Sequence, residues 1–564
     1  MKTNQLYSDI SDITIESYLN KYGITDISEY LHPTGKYLED PMLYDNMDKA
    51  IKIFKRNYEL KSDTYILCDS GDSDGILSTT IIYKYMKLLN KKWNIKILIH
   101  NGKERGLDDE CLMNRCVNNP RPLLIIPDAG TNNKEQVKML NDLGTDVIIL
   151  DHHNLTDPVE QNDKIVLISD QIGSVDRCGS GAMVTHHFVR ALDIEFEVQY
   201  SKQFIDIASL SIMSDGMDIK SMQNRTYMYY GIMGGLKRIN NKFLKLMITE
   251  LLKEDYLQKD INFTLVPKIN SVCRGDDQQL KQDVICSFIG LHNNDKMLDV
   301  LFKMKSAHTN QQNLVNKFIE ENIDKIDTSN DIIIYVSDEV PRTYSGLVAG
   351  KIKDAFDNKP TIISYDYKSS DVSIGSLRSD VPLQEILNDC EYVIWSRGHS
   401  CQCGIKFKKS NIQNIIDYIN GLKIDYKADR DVLISCMVNS IPNELYGLFE
   451  PYMRLFDDNH LKYPLIHIKQ FKVNNFNITV GKMSTIRFKI GDITFIKFFS
   501  SKSDKLRLHL DTDDKIDMNV EIIGEPVWNI YKGKKYKQIM IKYFEVSEYK
   551  QPRQPSFEDI FGYN

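Results

Sequence analysis

The chain has 564 residues, 42% of them hydrophobic and 26% charged, and a formal net charge of −7. This length predicts several domains with sizeable cores, the composition is that of a soluble globular protein, and the ten scattered cysteines predict reduced thiols rather than a disulfide framework. No apolar run reaches membrane-spanning length and the polar start Met1-Lys-Thr-Asn-Gln-Leu-Tyr7 is no signal peptide, so a cytoplasmic protein without a membrane partner is expected.

Residues 1–60 read as mainly helical and carry no motif. Thr64-Tyr-Ile-Leu-Cys68 then reads as a strand running into Asp69-Ser-Gly-Asp72-Ser-Asp74-Gly75, with a helix predicted from Ile76 to Leu89. Asp72 and Asp74 lie two apart, so in extended chain both carboxylates face the same way. Pro122-Leu-Leu-Ile-Ile-Pro-Asp128-Ala-Gly130 repeats the pattern of strand, acid and glycine. In Asp146-Val-Ile-Ile-Leu-Asp-His-His-Asn154, residues Val147–Leu150 read as a fully buried strand. That strand delivers Asp151, His152 and His153 at its carboxyl end, where open α/β sheets place their ligand sites. A further acid, Asp215, ends the apolar segment that starts at Asp206, in which Leu210–Met213 fits strand or helix equally by period. Four acids ending strands or helices, plus a double histidine, suit two hard cations held by bridging carboxylates.

Residues 61–255 thus alternate strands and helices around a parallel sheet, and 256–325 read as a helical connector that includes an amphipathic helix over Met304–Ile326. A second α/β lobe is expected over 326–425, with Ile332–Val336 as a strand and a helix from Ser345. Residues 426–548 alternate in strand fashion over Leu465–Val473, Ile478–Ile490 and Ile493–Phe499, as a β-barrel would, and 549–564 read as a loose tail. Two basic patches, Lys406-Phe-Lys-Lys409 and Tyr531-Lys-Gly-Lys-Lys-Tyr-Lys537, offset the negative total locally, and the second interleaves aromatics with lysines as single-strand binders do. Cys401 and Cys403 beside His399 lack the further ligands that a zinc site needs.

The order Asp72-Ser-Asp74-Gly75, Asp128-Ala-Gly130, Asp151-His152-His153 and Asp215 resembles the four-motif signature of the DHH phosphoesterases, and within them the RecJ-like single-strand-specific DNA exonucleases. Cys178-Gly-Ser-Gly181-Ala182, the run from Ser214 to Asn224-Arg225, and Pro267-Lys-Ile-Asn270-Ser-Val-Cys-Arg274 are similar to further family segments. So are Gly346-Leu-Val-Ala349, Gly375-Ser376-Leu-Arg378-Ser379 and Gly398-His399 of the DHH-associated domain, and Asn529–Gly533 with Gln538 of the last, OB-like part. The likeness runs in family order from about residue 60 to 545. Cys68 stands where several branches carry a metal-binding His, Arg397 replaces a Gly, and Cys273 stands where Gly is usual. A thiol suits Mg²⁺ or Mn²⁺ poorly, so Cys68 reads better as a small buried strand residue.

The resemblance implies a DHH core with a parallel sheet, a second α/β DHH-associated lobe and a C-terminal OB-like β-barrel. It implies two divalent ions, Mn²⁺ or Mg²⁺, held by Asp72, Asp74, Asp128, His152 and Asp215, with Asp128 as a bridge. His153 would contact the scissile phosphate and Asp151 would orient an imidazole. Asn270, Arg274, Ser376, Arg378 and His399, with Arg225, would bind phosphates. The implied activity is 5′→3′ hydrolysis of single-stranded DNA to 5′-mononucleotides, in recombination, repair or replication. Alternatives are a phosphodiesterase for short oligonucleotides or cyclic dinucleotides, and a non-catalytic replication scaffold. Phe557-Glu-Asp-Ile-Phe561 in the tail combines acids and aromatics, as peptides docking on a replication or single-strand-binding protein do. Heavy use of Lys, Asn, Ile and Tyr is compatible with an AT-rich genome, including a viral one acting in a host cytoplasm.

Overall fold

The computed structural model describes all residues except 1–2, 101–105, 174–175, 253, 341, 357, 368–370, 424–429, 458–459, 482–484, 499, 501, 532 and 549–564, and leaves out the side chains of His399, Lys502, Ser503 and Glu548. The tail and its expected docking segment therefore lie outside the described residues. Two compact units form. One holds residues 26–424 and 457–461; the other holds 1–25, 425–456 and 462–564.

The larger unit is built on a five-stranded, all-parallel sheet. Its strands are β1 (Thr64–Cys68), β2 (Ile95–Ile99), β3 (Leu123–Pro127), β4 (Asp146–Asp151) and β5 (Ile165–Ser169), in the spatial order β2-β1-β3-β4-β5. Every residue of β1, β3, β4 and β5 is buried, which is why these strands read as continuous apolar runs instead of alternating ones. Side chains such as Leu67, Ile126, Ile149 and Leu167 form one core beneath them. The registers Cys68↔Ile99, Pro127↔Leu150 and Asp151↔Ser169 bring the carboxyl ends of the strands to one edge. The residues that end or follow the five strands are Asp69, His100, Asp128, Asp151 and Asp170.

Helices flank that edge: α1 (Ser73–Leu89), α2 (Gly181–Glu195), α3 (Ile205–Ser214) and α4 (Met222–Tyr230). The segment ambiguous by period, Leu210–Met213, is helical, within α3. After α5 (Val266–Cys273) comes the 29-residue α6 (Asn294–Asn322). It begins ten residues before the expected Met304, because the Asn293 side chain accepts from Lys296 N at 3.0 Å and caps it there.

The second α/β lobe contains β6 (Ile333–Val336), α7 (Ser345–Ala355), β7 (Thr361–Asp366), β8 (Val372–Arg378), β9 (Val393–His399) and β10 (Gln402–Lys408). Its sheet runs β9-β10-β8-β7-β6, parallel only between β6 and β7. β8 alternates exposure residue by residue, with Leu377 fully buried and Ser376 and Arg378 on the other face.

The smaller unit carries a seven-stranded sheet that runs from Ser435–Cys436 at one edge to Thr479–Gly481 at the other; among the described residues these edges do not pair, so the sheet is open. Its centre is one long hairpin, Asp517–Tyr531 against Lys534–Glu548. Thr3–Gln5 pairs in parallel with Arg430–Val432, which draws residues 1–25 into this unit and divides the segment expected over 1–60. Among the described residues no helix is long and apolar enough to cross a membrane.

Candidate metal centre

β1 ends at Cys68, and the chain turns through Asp69–Gly71 into α1. Asp72 is the N-cap, its Oδ1 accepting from Gly75 N at 3.5 Å, and Asp74 sits in the first turn, where the helix dipole favours a carboxylate. Gly75 permits this turn, since a Cβ there would lie 1.9 Å from the Asp69 carbonyl oxygen. A second helix start then converges on Asp74: Gly181 N and Ala182 N of α2 donate to its two oxygens at 2.7 and 2.9 Å. The Ser211 hydroxyl of α3 donates to Asp74 as well. A buried anion is thus held by two helix N-termini.

Asp128 follows β3 with φ +66°, a left-handed conformation that costs a non-glycine residue roughly 1–2 kcal/mol. Its amide donates to Leu150 O at 2.8 Å, and its carboxylate is turned inward, 1% exposed. Among the described residues the buried Oδ1 has no hydrogen-bond partner. It lies 3.4 Å from His152 Nε2, which is also 3.5 Å from Asp215 Oδ2 and 3.9 Å from Asp74 Oδ2. The ring is set by its other nitrogen, since Nδ1 lies 3.0 Å from Gly179 O, an acceptor only, and must carry the proton. Nε2 is left facing the carboxylates.

Asp151 is fully engaged. It accepts from Thr131 N (3.1 Å), Thr131 Oγ1 (2.6 Å), His152 N (2.8 Å) and His153 Nδ1 (2.7 Å). His153 keeps a side-chain exposure of 35%, with Nδ1 held by Asp151.

The electrostatics describe a site short of positive charge. Burial first, then the charges of Asp74 and Asp72, push the Asp128 carboxyl well above the usual range. Burial likewise pushes Asp215 up to about 7, opposed by His152 and reinforced by Asp74 and Asp72. Burial disfavours the His152 cation, but Asp215, Asp74 and Asp151 outweigh it and raise the imidazole to about 9. Burial also opposes ionisation of Asp151, yet the charge and hydrogen bond of His153 hold it well below the usual carboxylate range. A divalent cation held among these carboxylates would offset their mutual repulsion. Two overlapping groups place their ligand atoms within 4.8 Å of one another: Asp128, His152 and His153, and Asp74, His152 and Asp215. The orphaned Asp128 Oδ1 and the all-oxygen-and-imidazole donor set fit a hard divalent ion. Asp72 is half-buried and its charge reaches both Asp128 and Asp215.

The expected phosphate-binding residues divide. Asn270 of α5 accepts from Ser73 N at 3.1 Å, which ties it to the start of α1. Burial, and then the charge of Arg274, lower Arg378 to about 10. Gly346 leaves room for Arg378, since a Cβ there would meet its Nη2 at 2.4 Å. Ser376 Oγ lies 3.0 Å from Ser345 Oγ. His399 closes β9 opposite Gln402, and its side chain lies outside the described atoms. Arg225 departs from the expectation. It is 6% exposed, donates through Nε to Tyr30 O at 2.9 Å, and packs against the rings of Tyr30 and Tyr229 at 5.3 and 5.9 Å. Its Nε thus ties α4 to Tyr30. Cys68 is buried, with Sγ 3.6 Å from Gly75 O and its thiol pushed up to about 12 by burial. Arg397 lies over the Trp395 ring at 5.4 Å.

Sequence reasoning missed Asp69, His100 and Asp170. Asp170 is buried and accepts from Gly179 N at 2.8 Å, so it fixes the peptide whose carbonyl orients His152. His100 Nδ1 lies 3.6 Å from Asp69 Oδ1. The available signal was position: each follows a parallel strand at its carboxyl end.

Residues 63–212 match the family model described as DHH family, N-terminal domain. The SPbeta prophage-derived protein YorK of Bacillus subtilis, whose name describes a single-strand DNA-specific exonuclease, is 25% identical over 585 residues, covering 94% of this chain and 98% of that protein. The single-stranded-DNA-specific exonuclease RecJ of Bacillus subtilis is 22% identical over 542 residues, covering 92% of this chain and 66% of that one. In fold, the crystal structure of RecJ from Thermus thermophilus in complex with Mn²⁺ is similar with a TM-score of 0.70 at 14% identity, covering 95% of this chain and 76% of that chain.

Proposed function

We propose that the chain is a RecJ-like DHH protein, a metal-dependent exonuclease that hydrolyses single-stranded DNA from the 5′ end and releases 5′-mononucleotides. The observation that carries this reading is the pair of ligand groups sharing His152 at the carboxyl edge of the parallel sheet. Asp72, Asp74, Asp128, His152 and Asp215 would hold two divalent cations. Such cations, Mn²⁺ or Mg²⁺, neutralise phosphate charge and lower the pKa of coordinated water. RecJ of Thermus thermophilus has been solved with each of these ions.

The chain's own groups do the rest. Asp151 holds His153 by Nδ1, so that its second nitrogen meets the scissile phosphate. Arg274 and Arg378 would pair with phosphate oxygens, and an anion there would offset the repulsion that lowers Arg378. Asn270, Ser376 and His399 complete the phosphate contacts, while Asn270 also keeps the Asp72–Asp74 turn in place. Residues 426–548, read as an OB-like domain, add a polymer surface. At its hairpin tip Tyr531 and Tyr536 are 60% and 44% exposed beside Lys534 and Lys535. Recombination, repair or replication in a cytoplasm is the setting proposed, with the tail as a docking segment for a replication protein.

The test is a long 5′-labelled single strand with Mn²⁺. Early release of labelled mononucleotide is the expected result. Cleavage confined to dinucleotides or cyclic dinucleotides would sink the polymer reading, label released last would reverse the polarity, and inertness with every divalent metal would favour a scaffold.

A further inference from the structure

On the exonuclease reading, the strand continues beyond the metal centre, and two helices, α5 at the α1 start and α7 in the second lobe, carry positive charge along α6. α5 presents Asn270 to the α1 start and is followed by Arg274, while Lys268 stands two residues before Asn270. α7 opens with Ser345 against Ser376 and Gly346 against Arg378; Lys351 comes five residues later, about 7.5 Å along the helix. α6 packs against both of these helices. On α6, Phe302, Lys305, His308, Gln312 and Asn316 recur at spacings of three and four, so they share one flank. Lys351 Nζ donates across to Gln312 Oε1 at 2.8 Å and to Asn316 Oδ1 at 2.7 Å.

Between Phe302 and Asn316 this flank carries no carboxylate, although Asp299 and Glu320 continue its spacing at either end. Burial and then Lys305 lower the Lys268 pKa, burial and then Lys268 and Lys351 lower that of His308, and burial lowers Lys351. Among the described residues, no carboxylate contributes to any of these shifts. His308 Nδ1 is buried and has no hydrogen-bond partner among the described residues. One turn before Lys305, Phe302 is 69% exposed, a large apolar ring standing in solvent.

We propose that this flank of α6, with Lys268, Phe302, Lys305, His308 and Lys351, is a track for the single strand beyond the cleavage centre. Like charges held partly out of water destabilise the free protein, and a polyanion relieves them. The lysines follow the phosphates, and the exposed ring of Phe302 offers a face on which a base stacks irrespective of its identity. The inference rests on the exonuclease reading but concerns other residues.

The test measures binding of a fluorescent oligodeoxythymidylate in an Asp128→Asn background, across a salt series. Lys268→Gln, Lys305→Gln and Lys351→Gln together are expected to weaken binding about tenfold and to reduce the log–log salt slope by about 2, at about 0.7 per lost phosphate contact. Phe302→Ala should weaken it about tenfold with the slope unchanged. The corresponding triple arginine variant should bind as the parent does, and in an otherwise wild-type chain the triple Gln variant should keep the Mn²⁺-induced rise in Tm. Parent-like affinity and slope in the triple Gln variant overturn the track. So does weak binding by the arginine variant, or loss of the Mn²⁺ response, which would place these lysines in the fold of the metal centre. If the parent binds no single strand at any salt, the exonuclease reading itself fails, and the track with it.

Discussion

Gly181→Ala tests whether the two helix starts and Asp128 form one interlocked metal cradle. An added Cβ would lie 2.3 Å from Asp128 Oδ1 and 2.6 Å from Asp128 Cβ, where ordinary contact begins near 3.4 Å. Either Asp128 or the start of α2 must therefore move by about 1 Å, the shortfall between 2.3 and 3.4 Å. If α2 moves, the Gly181 and Ala182 amides leave Asp74, which they now hold at 2.7 and 2.9 Å. If Asp128 moves, it leaves the 3.4 Å approach to His152 Nε2. Overpacking of this size costs about 1–3 kcal/mol of stability, and a displacement of about 1 Å in a reacting constellation costs about a hundredfold in rate. The assay is kcat/KM for mononucleotide release at limiting and saturating Mn²⁺, with Tm measured in EDTA. Gly350→Ala is the control, since nothing lies within 4 Å of its Cβ position and alanine suits a helix interior. Wild-type kcat/KM at limiting Mn²⁺ in Gly181→Ala would refute the interlock.

Asp128→Asn removes a buried carboxyl whose Oδ1 lacks a hydrogen-bond partner, so Tm in EDTA should rise while hydrolysis and the Mn²⁺-induced stabilisation disappear; a wild-type response to Mn²⁺ would contradict the ligand assignment. Asp170→Ala frees Gly179, whose carbonyl orients His152, and should weaken Mn²⁺ about tenfold by calorimetry, whereas unchanged affinity would deny Asp170 that role. Burial, and then Arg190, lower His186 to about 3, below its unfolded value of about 6.5, so the unfolded chain binds the extra proton between these limits. Stability contributed by neutral His186 is thus complete above about pH 6.5 and falls as pH drops, by about 2 kcal/mol at pH 5. Urea unfolding of His186→Gln should show a shallower loss between pH 7 and 5 than the wild type; an identical pH slope would be evidence against a buried neutral imidazole.

The strand-and-acid pattern was legible because it is local. Val147–Leu150 and Leu123–Ile126 are apolar on both faces only if helices cover both sides of a parallel sheet, and such a sheet puts Asp128 and Asp151 at one edge. The pattern around Asp215 was half legible: the acid was found, but a short apolar run has no period that separates strand from helix, and packing against α1 and α2 makes it α3. Arg225 matched a motif, yet its environment is decided by Tyr30, 195 positions away. Likewise the first 25 residues join the smaller unit because Thr3–Gln5 pairs with Arg430–Val432, a partner that no local periodicity reveals.

By itself, the amino-acid order determined which metal-competent groups end which elements, and hence the chemistry open to them. Only the tertiary structure decided how those groups are aimed. The amide that holds Asp74 comes from 107 positions away, the hydroxyl from 137, and the carbonyl that turns His152 Nε2 toward three carboxylates from 27. Sequence carries side-chain identity and local period, whereas orientation depends on hydrogen bonds closed between distant segments, which exist only once the sheet and its helices have packed.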